Sequence, residues 1–367
     1  MRNTIFKILI AALLIALIGV LSIYSSTYQK EGQGSLDNYK RQIFWIIAGV
    51  FIFFMLSHFN YRRFWDFTYL FYILGIALLF LVFVLGITRL GAQRWLKFAW
   101  FNFQPSEFSK IIIVIFLARY FSKKAIDDMS LAMSRFGIFR SLIIPFIFVA
   151  IPAGLIIEQP DLGSASMVIF IFIAMLYLAG VKFKYLLSFS LVTLLSLPVF
   201  WQILRDYQRE RLMVFLNPNI DPLGAGYTII QSKIAIGSGG FLGKGWLAGT
   251  QSQLRFLPES HTDFIFATFA EEWGLLGALA LFYLYYLLIN EAIAIGLRTR
   301  DSFGRLLAFG IALMIGVQVF VNIAMTLGLA PVVGLPLPLM SYGGSSVLVT
   351  FISLGILANI DRTRAVF

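Results

Sequence analysis

The chain has 367 residues, of which 59% are hydrophobic and 13% charged, with a formal net charge of +11 at pH 7. A mean hydropathy of +0.86 and recurring uncharged runs long enough to cross roughly 30 Å of hydrocarbon exclude an ordinary soluble domain. With no cysteine and two histidines, His58 and His261, disulfides, thiolate chemistry and a histidine-rich metal centre are excluded. Lys and Arg are spread through short loops instead of a stripe or tail, which argues against a nucleic-acid partner.

The expected fold is an all-α polytopic integral membrane protein, a single domain over residues 1–367. About ten transmembrane helices are predicted from the apolar runs, near residues 4–24, 42–58, 67–88, 106–121, 141–157, 162–181, 185–204, 263–295, 304–327 and 341–360. The first run is kept as a helix and not a cleaved signal peptide: its apolar core is too long and no Ala-x-Ala site follows. An even number of spans puts both termini on one side. That side collects Lys7, Arg62, Arg63, Arg119, Arg135, Arg140, Lys182, Lys184, Arg298 and Arg364, while the other carries Lys30, Lys40, Arg41, Arg89, Arg94 and Lys97. The positive-inside rule then makes both termini cytoplasmic and the long loop 205–262, between the seventh and eighth helices, extracytoplasmic. Within this loop, residues 229–236 are expected to form a short amphipathic helix on the membrane surface, flanked by glycine turns. The Gly-rich stretch up to Lys244 is not a P-loop, because Gly245 stands where Ser or Thr is required and the glycine spacing is wrong.

The polar residues that interrupt this pattern gather at the outer ends of helices. Asp263 follows His261 at the start of the eighth helix. Its carboxylate, or the Thr262 hydroxyl, could cap that helix, and it could equally accept a proton in a reaction. Eight residues on, Glu271 and Glu272 fall inside the hydrocarbon region and must be paired, protonated or exposed to an aqueous cavity. Glu107 and Lys110 are spaced to pair on one helix face beginning at Pro105. Arg94 and Lys97 flank Trp95 at the outer interface, a composition suited either to an anionic headgroup or to anchoring. Asp161 lies in a very short outer turn. Ser341 lies where a proline-rich outer loop runs into a small-residue helix, with close packing as the default role. An acid and several cations at one leaflet fit a lipid-linked substrate, and intramembrane carboxylates fit an ion-coupled carrier as well.

Gly91 to Trp95, Gln104 to Glu107, Gln159 to Gly163, Asp221 to Tyr227, His261 to Phe266 and Pro338 to Gly344 together resemble the shape, elongation, division and sporulation (SEDS) family over nearly the whole chain. Residues 229–249 and the short N-terminal tail favour its elongation type over its division type. The resemblance implies a ten-helix peptidoglycan glycosyltransferase in the bacterial cytoplasmic (inner) membrane. Its site would face outward, polymerising lipid II into β-1,4-linked glycan and releasing undecaprenyl diphosphate. It also implies a class B penicillin-binding protein as transpeptidase partner within the elongation machinery, and it places the family's essential acid on Asp263. Arg94, Lys97, Glu107, Lys110, Asp161, His261, Glu271, Glu272 and Ser341 are the candidate supporting residues. No organic cofactor is expected; a divalent cation, Mg or Mn, could share the diphosphate charge. The rival reading is a lipid II flippase, with the intramembrane charges lining a path for the headgroup.

Overall fold

A computed structural model of the chain describes residues 2–28, 33–89, 92–98, 101–127, 142–181, 183–195, 198, 201–202, 204, 206–222 and 224–363. Of the residues named above, Lys30, Gly91, Arg135, Arg140, Lys182 and Arg364 lie outside the described residues. Long apolar helices dominate: α1 (Arg2–Thr27), α2 (Gln33–His58), the short α3 (Arg62–Asp66), α4 (Thr68–Leu85), α5 (Pro105–Asp127), α6 (Ile144–Glu158), α7 (Leu162–Leu178) and α8 (Phe183–Leu195). After them come α9 (Asp206–Leu216), a 3-10 turn at Pro218–Ile220, α10 (Ala225–Gly239), α11 (Thr250–Gln253), α12 (Ile265–Arg298), α13 (Ser302–Thr326) and α14 (Gly344–Thr363).

Among the described residues six helices, α1, α2, α4, α12, α13 and α14, are long and apolar enough to cross a membrane. Helices α6 and α7 are apolar but shorter, and α5 carries Glu107, Lys110 and Arg119 within its length. The best-buried span is α14; it packs on α2, while α12 packs on α1 and α13. Close approach relies on small residues, because a Cβ on Gly19 would strike the Met340 backbone and one on Gly355 would press on the Phe53 backbone. Helices in lipid associate through such contacts, since burial against another helix gains little over burial against acyl chains. Large apolar side chains such as Phe51, Val84 and Phe320 remain exposed on the outer faces, as a lipid-facing surface requires.

The α2 helix starts at Gln33, ahead of the predicted residue 42, and α9 lies within the predicted loop; the predicted helix 185–204 lies partly outside the described residues. Two further features depart from the predicted elements. First, the chain is not all-α: between α4 and α5 runs a three-stranded antiparallel sheet in the order β1 (Gly86–Arg89), β2 (Ala92–Phe98), β3 (Phe101–Phe103). The predicted helix 67–88 stops at Leu85 because Gly86 turns extended, and Gln93 Nε2 donates to the Val82 and Gly86 carbonyls at 3.0 and 2.9 Å. The last-turn carbonyls of a helix need such partners. The β-branched and aromatic residues Ile87, Thr88, Trp95, Phe98, Phe101 and Phe103 favour strands, in runs too short for their periodicity to stand out between apolar helices.

Second, α12 is broken. Gly274 has φ 62°, ψ −161°, and the glycine-rich segment after α10 docks into the break. Lys244 and Gly245 donate their backbone N–H to the Glu271 and Glu272 carbonyls, both at 3.0 Å. The N–H groups of Leu275 and Leu276 in turn reach the Gly240 and Phe241 carbonyls at 3.0 and 3.2 Å. These backbone groups, released by the break, are thereby satisfied from another segment, the condition under which a broken helix is tolerated in a membrane. A side chain on Gly239 or Gly243 would collide with the α12 backbone. The amphipathic segment of the loop is a helix, α10, with Ile229, Ser232 and Ala235 buried in packing against α12.

Candidate active site

Asp263 lies in the turn just before α12. It does not cap the helix: the N-cap is Phe264, with no side-chain cap hydrogen bond. Thr262 is otherwise engaged as well, its Oγ1 donating to Glu259 Oε2 at 2.9 Å. Among the described residues no hydrogen bond or ion pair reaches the Asp263 carboxylate, so its oxygens are available to a substrate. Burial is the main reason its pKa is raised from 3.8 to about 6. The nearby Glu259 carboxylate pushes in the same direction, and the Arg211 and Arg94 guanidinium groups pull against it. A depressed pKa, as expected of a capping aspartate, is the opposite of what the fold imposes.

Neighbouring segments hold this acid in place. Asn322 on α13 donates from Nδ2 to the Asp263 carbonyl at 3.0 Å and to the Leu335 carbonyl at 2.7 Å. Ser341 is buried, donates from Oγ to the Thr262 carbonyl at 2.7 Å and accepts from the Leu337 N–H at 2.8 Å. His261 contributes its carbonyl, which accepts from the Tyr342 N–H at 3.0 Å, and its ring lies 5.8 Å from that of Tyr342. Glu259 and Leu339 both sit at positive φ, 48° and 66°, in the two segments that these bonds tie together. Such backbone strain collects at functional sites.

Arg94 reaches the same place from the sheet. In the β1–β2 register Ile87 pairs with Trp95 and Thr88 with Gln93, so Arg94 is the unmatched residue of a bulge, a device that re-aims a side chain. Its guanidinium donates to the Pro160 carbonyl and stands 4.0 Å from Asp161 Oδ1, while its buried Nε has no hydrogen-bond partner. A Cβ on Gly334 would lie 3.4 Å from Asp263 Oδ2 and 3.9 Å from Arg94 Nη1. The acid and the cation thus flank the same glycine, with no side chain placed between them. Asp161 is itself buried and occupied: it accepts from Ser164 N at 3.0 Å as the N-cap of α7, and from Gln104 Nε2 and Ser106 Oγ, both at 3.2 Å. It orients Arg94 and the α5 start.

Other candidates lie apart from Asp263. Lys110 is fully buried, its Nζ donating to Glu107 Oε1 at 2.7 Å and to Gln318 Oε1 at 3.0 Å. Gln318 passes the link on through Nε2 to the Pro336 carbonyl at 2.8 Å. The Glu107–Lys110 pair thus props the loop that carries Pro336. Lys97 is exposed at the far end of β2. Glu271 and Glu272 belong to the helix break. Glu271 is paired with Lys244 Nζ at 2.7 Å and takes further hydrogen bonds from Thr250 Oγ1 and the Gln251 N–H.

Arg211, Asn322 and Gln318 are missing from the sequence-derived candidates. Gln318 and Asn322 were legible as two polar residues one helical turn apart in an apolar span, which places them on one face. Arg211 gave no such signal: it lies in the charged stretch of α9, and only the fold brings its Nη1 to the Val332 carbonyl at 3.1 Å and its charge to Asp263.

Residues 5–366 match the family model described as cell cycle protein, of the FtsW/RodA/SpoVE type. The peptidoglycan glycosyltransferase MrdB of Escherichia coli K12 is 41% identical over 362 residues, covering 98% of this chain and 93% of that protein. A chain from a solved peptidoglycan synthase complex, described as coordinating polymerization and crosslinking, superposes with a TM-score of 0.80 at 33% identity, covering 98% of each chain. The crystal structure of the Thermus thermophilus rod shape determining protein RodA gives 0.71 at 28% identity, over 98% of this chain and 97% of that one. A match over nearly the whole length, together with a relative at 41% identity, places this chain in the FtsW/RodA/SpoVE family of cell cycle proteins.

Proposed function

We propose that this chain is a peptidoglycan glycosyltransferase that polymerises lipid II, with Asp263 as its catalytic base. The observation that carries the reading is the Asp263 carboxylate. It makes no hydrogen bond or ion pair among the described residues, its pKa is raised to about 6, and it flanks Gly334 together with the Arg94 guanidinium. In the reaction the 4-hydroxyl of an incoming N-acetylglucosamine gives its proton to Asp263. Its oxygen bonds to the anomeric carbon of the growing glycan, and the bond from that carbon to the undecaprenyl diphosphate oxygen breaks. A base near neutrality suits a proton that leaves late. Arg94 and Arg211 offset the charge arriving on the departing diphosphate. Arg94 is suited to this by its anchoring on the Pro160 carbonyl and Asp161, which leaves the Nε–H to donate.

Among the described residues no three His, Asp or Glu side chains converge as a metal cage. A divalent ion here would have to take most of its ligands from the substrate diphosphate, with Asp263 as the protein carboxylate within reach. The Glu107–Lys110 pair, Ser341 and Asn322 act as positioning residues. The rival flippase reading loses support because the intramembrane charges of Glu107 and Lys110 are consumed by each other. With α5, α6, α7 and α8 counted beside the six long apolar helices, the chain crosses the membrane ten times, both termini cytoplasmic and Asp263 on the outer side. A class B penicillin-binding protein is the fitting partner, in line with the synthase complex that the fold resembles.

The test is polymerisation of purified lipid II in detergent, with and without the cognate penicillin-binding protein, comparing wild type with Asp263→Ala. Glycan polymer from wild type and none from the variant is expected. Polymer from Asp263→Ala at the wild-type rate would remove Asp263 from the mechanism, and none from a folded, partnered wild type would overturn the enzymatic reading.

A further inference from the structure

The break in α12 leaves a buried carboxylate that the proposed reaction does not use. Glu272 is 1% exposed. One of its oxygens, Oε1, accepts from Ser25 Oγ at the end of α1; the other, Oε2, is buried with no hydrogen-bond partner. The Leu247 backbone N–H also donates toward this carboxylate, and Leu247 is held at φ 64°. Ser25 Oγ in turn accepts from Gln253 Nε2 at 3.2 Å, and the same nitrogen donates to the Ser25 carbonyl at 2.9 Å. The other end of that amide, Gln253 Oε1, is again a buried oxygen with no hydrogen-bond partner. The nearby cation, Lys244, is spent on Glu271, and among the described residues no ion pair reaches Glu272.

The two unpartnered atoms linked through Ser25 are both oxygens, and the Glu272 carboxylate is the charged member. A carboxyl this deeply buried either takes up a proton or is held charged by a partner that neutralises it. It also stands at the C-terminal end of the half-helix 265–273, the negative end of its dipole. Half-helix C-termini at breaks in membrane helices are places where cations are coordinated. A single carboxylate with neutral oxygens matches one positive charge; a divalent ion would call for more anionic ligands.

We infer that the Glu272 carboxylate, with the Gln253 amide tethered to the same Ser25 hydroxyl, forms a binding site for a monovalent alkali-metal cation that pins the glycine segment 239–245 and α11 to the break in α12. Na+ and K+ share the chemistry, and the experiment separates them. The inference is independent of the reaction proposed at Asp263, since its readout is stability.

The unfolding midpoint of the full-length purified protein in detergent is measured at constant ionic strength near pH 8, with N-methylglucamine replaced stepwise by Na+ or K+. The expected result is a saturable rise in midpoint with at least one of the two ions, absent in Glu272→Gln, which keeps the shape and removes the charge. Should Glu272→Gln fail to fold, Gln253→Leu serves instead, with the expectation of a shift to higher ion concentration. Equal midpoints in Na+, K+ and N-methylglucamine would overturn the site, as would an ion effect that survives in the variants. A wild type stabilised by lowering pH alone, indifferent to either ion, would assign the neutralising partner as a proton and also overturn it.

Discussion

Replacing Asp263 by Asn should abolish polymerisation and at the same time stabilise the folded protein above neutral pH. The carboxyl pKa rises from an ordinary 3.8 to about 6 in the fold. Each unit corresponds to about 1.4 kcal/mol, so ionised Asp263 costs about 3 kcal/mol of stability once the pH exceeds 6. The sign follows from the folded state binding the proton more tightly: the stability that this proton contributes is complete below 3.8 and lost as pH rises through about 6. Asparagine keeps the size of the side chain and carries no charge at any pH. Relative to wild type, Asp263→Asn should therefore gain about 3 kcal/mol near pH 8, about 1 kcal/mol near pH 4.5, and nothing at lower pH. Unfolding midpoints in detergent, followed by tryptophan fluorescence at one fixed scan rate for both proteins, report the difference without requiring reversibility. A gain of the same size at both pH values, or a loss at pH 8, would refute the claim that burial of the Asp263 charge opposes folding.

The same carboxylate should set the acid limb of the rate profile: polymerisation rises with pH through about 6 as Asp263 becomes ionised. In Glu259→Gln that limb moves to lower pH, and in Arg211→Gln to higher pH, because the first removes a like charge and the second an opposite one. Steady-state rates across the pH range check both directions. Glu107→Gln or Lys110→Met alone should destabilise the protein by about 3–5 kcal/mol, since each leaves a buried charge unpaired, whereas the double variant should recover most of the loss; a double-mutant cycle of unfolding midpoints measures it. Gly243→Ala should lower the unfolding midpoint and expose the glycine segment to protease, because its Cβ would meet the Glu272 carbonyl.

Much of this protein was legible in its sequence. Hydropathy reports the free energy of transferring each segment into hydrocarbon, a property of local composition, so the apolar helices and the membrane class could be read directly. The position of Asp263 at a helix start was legible for the same reason, and so was the pairing of Glu107 with Lys110, which needs only the helical repeat. The sheet was hidden because its strands are short and its side chains as apolar as the helices around it. Partners distant in the chain were hidden as well: Ser25 meets Glu272 across 247 positions, and Gln42 donates to the Ser341 carbonyl across 299. No local periodicity encodes such a meeting. The same limit left the role of Asp263 open between cap and base. Tertiary structure decided against the cap, since Phe264 takes the N-cap position; burial and the charges of Arg94 and Arg211 arriving from separate segments, added to that of Glu259 in the same turn, fix the proton affinity of the acid.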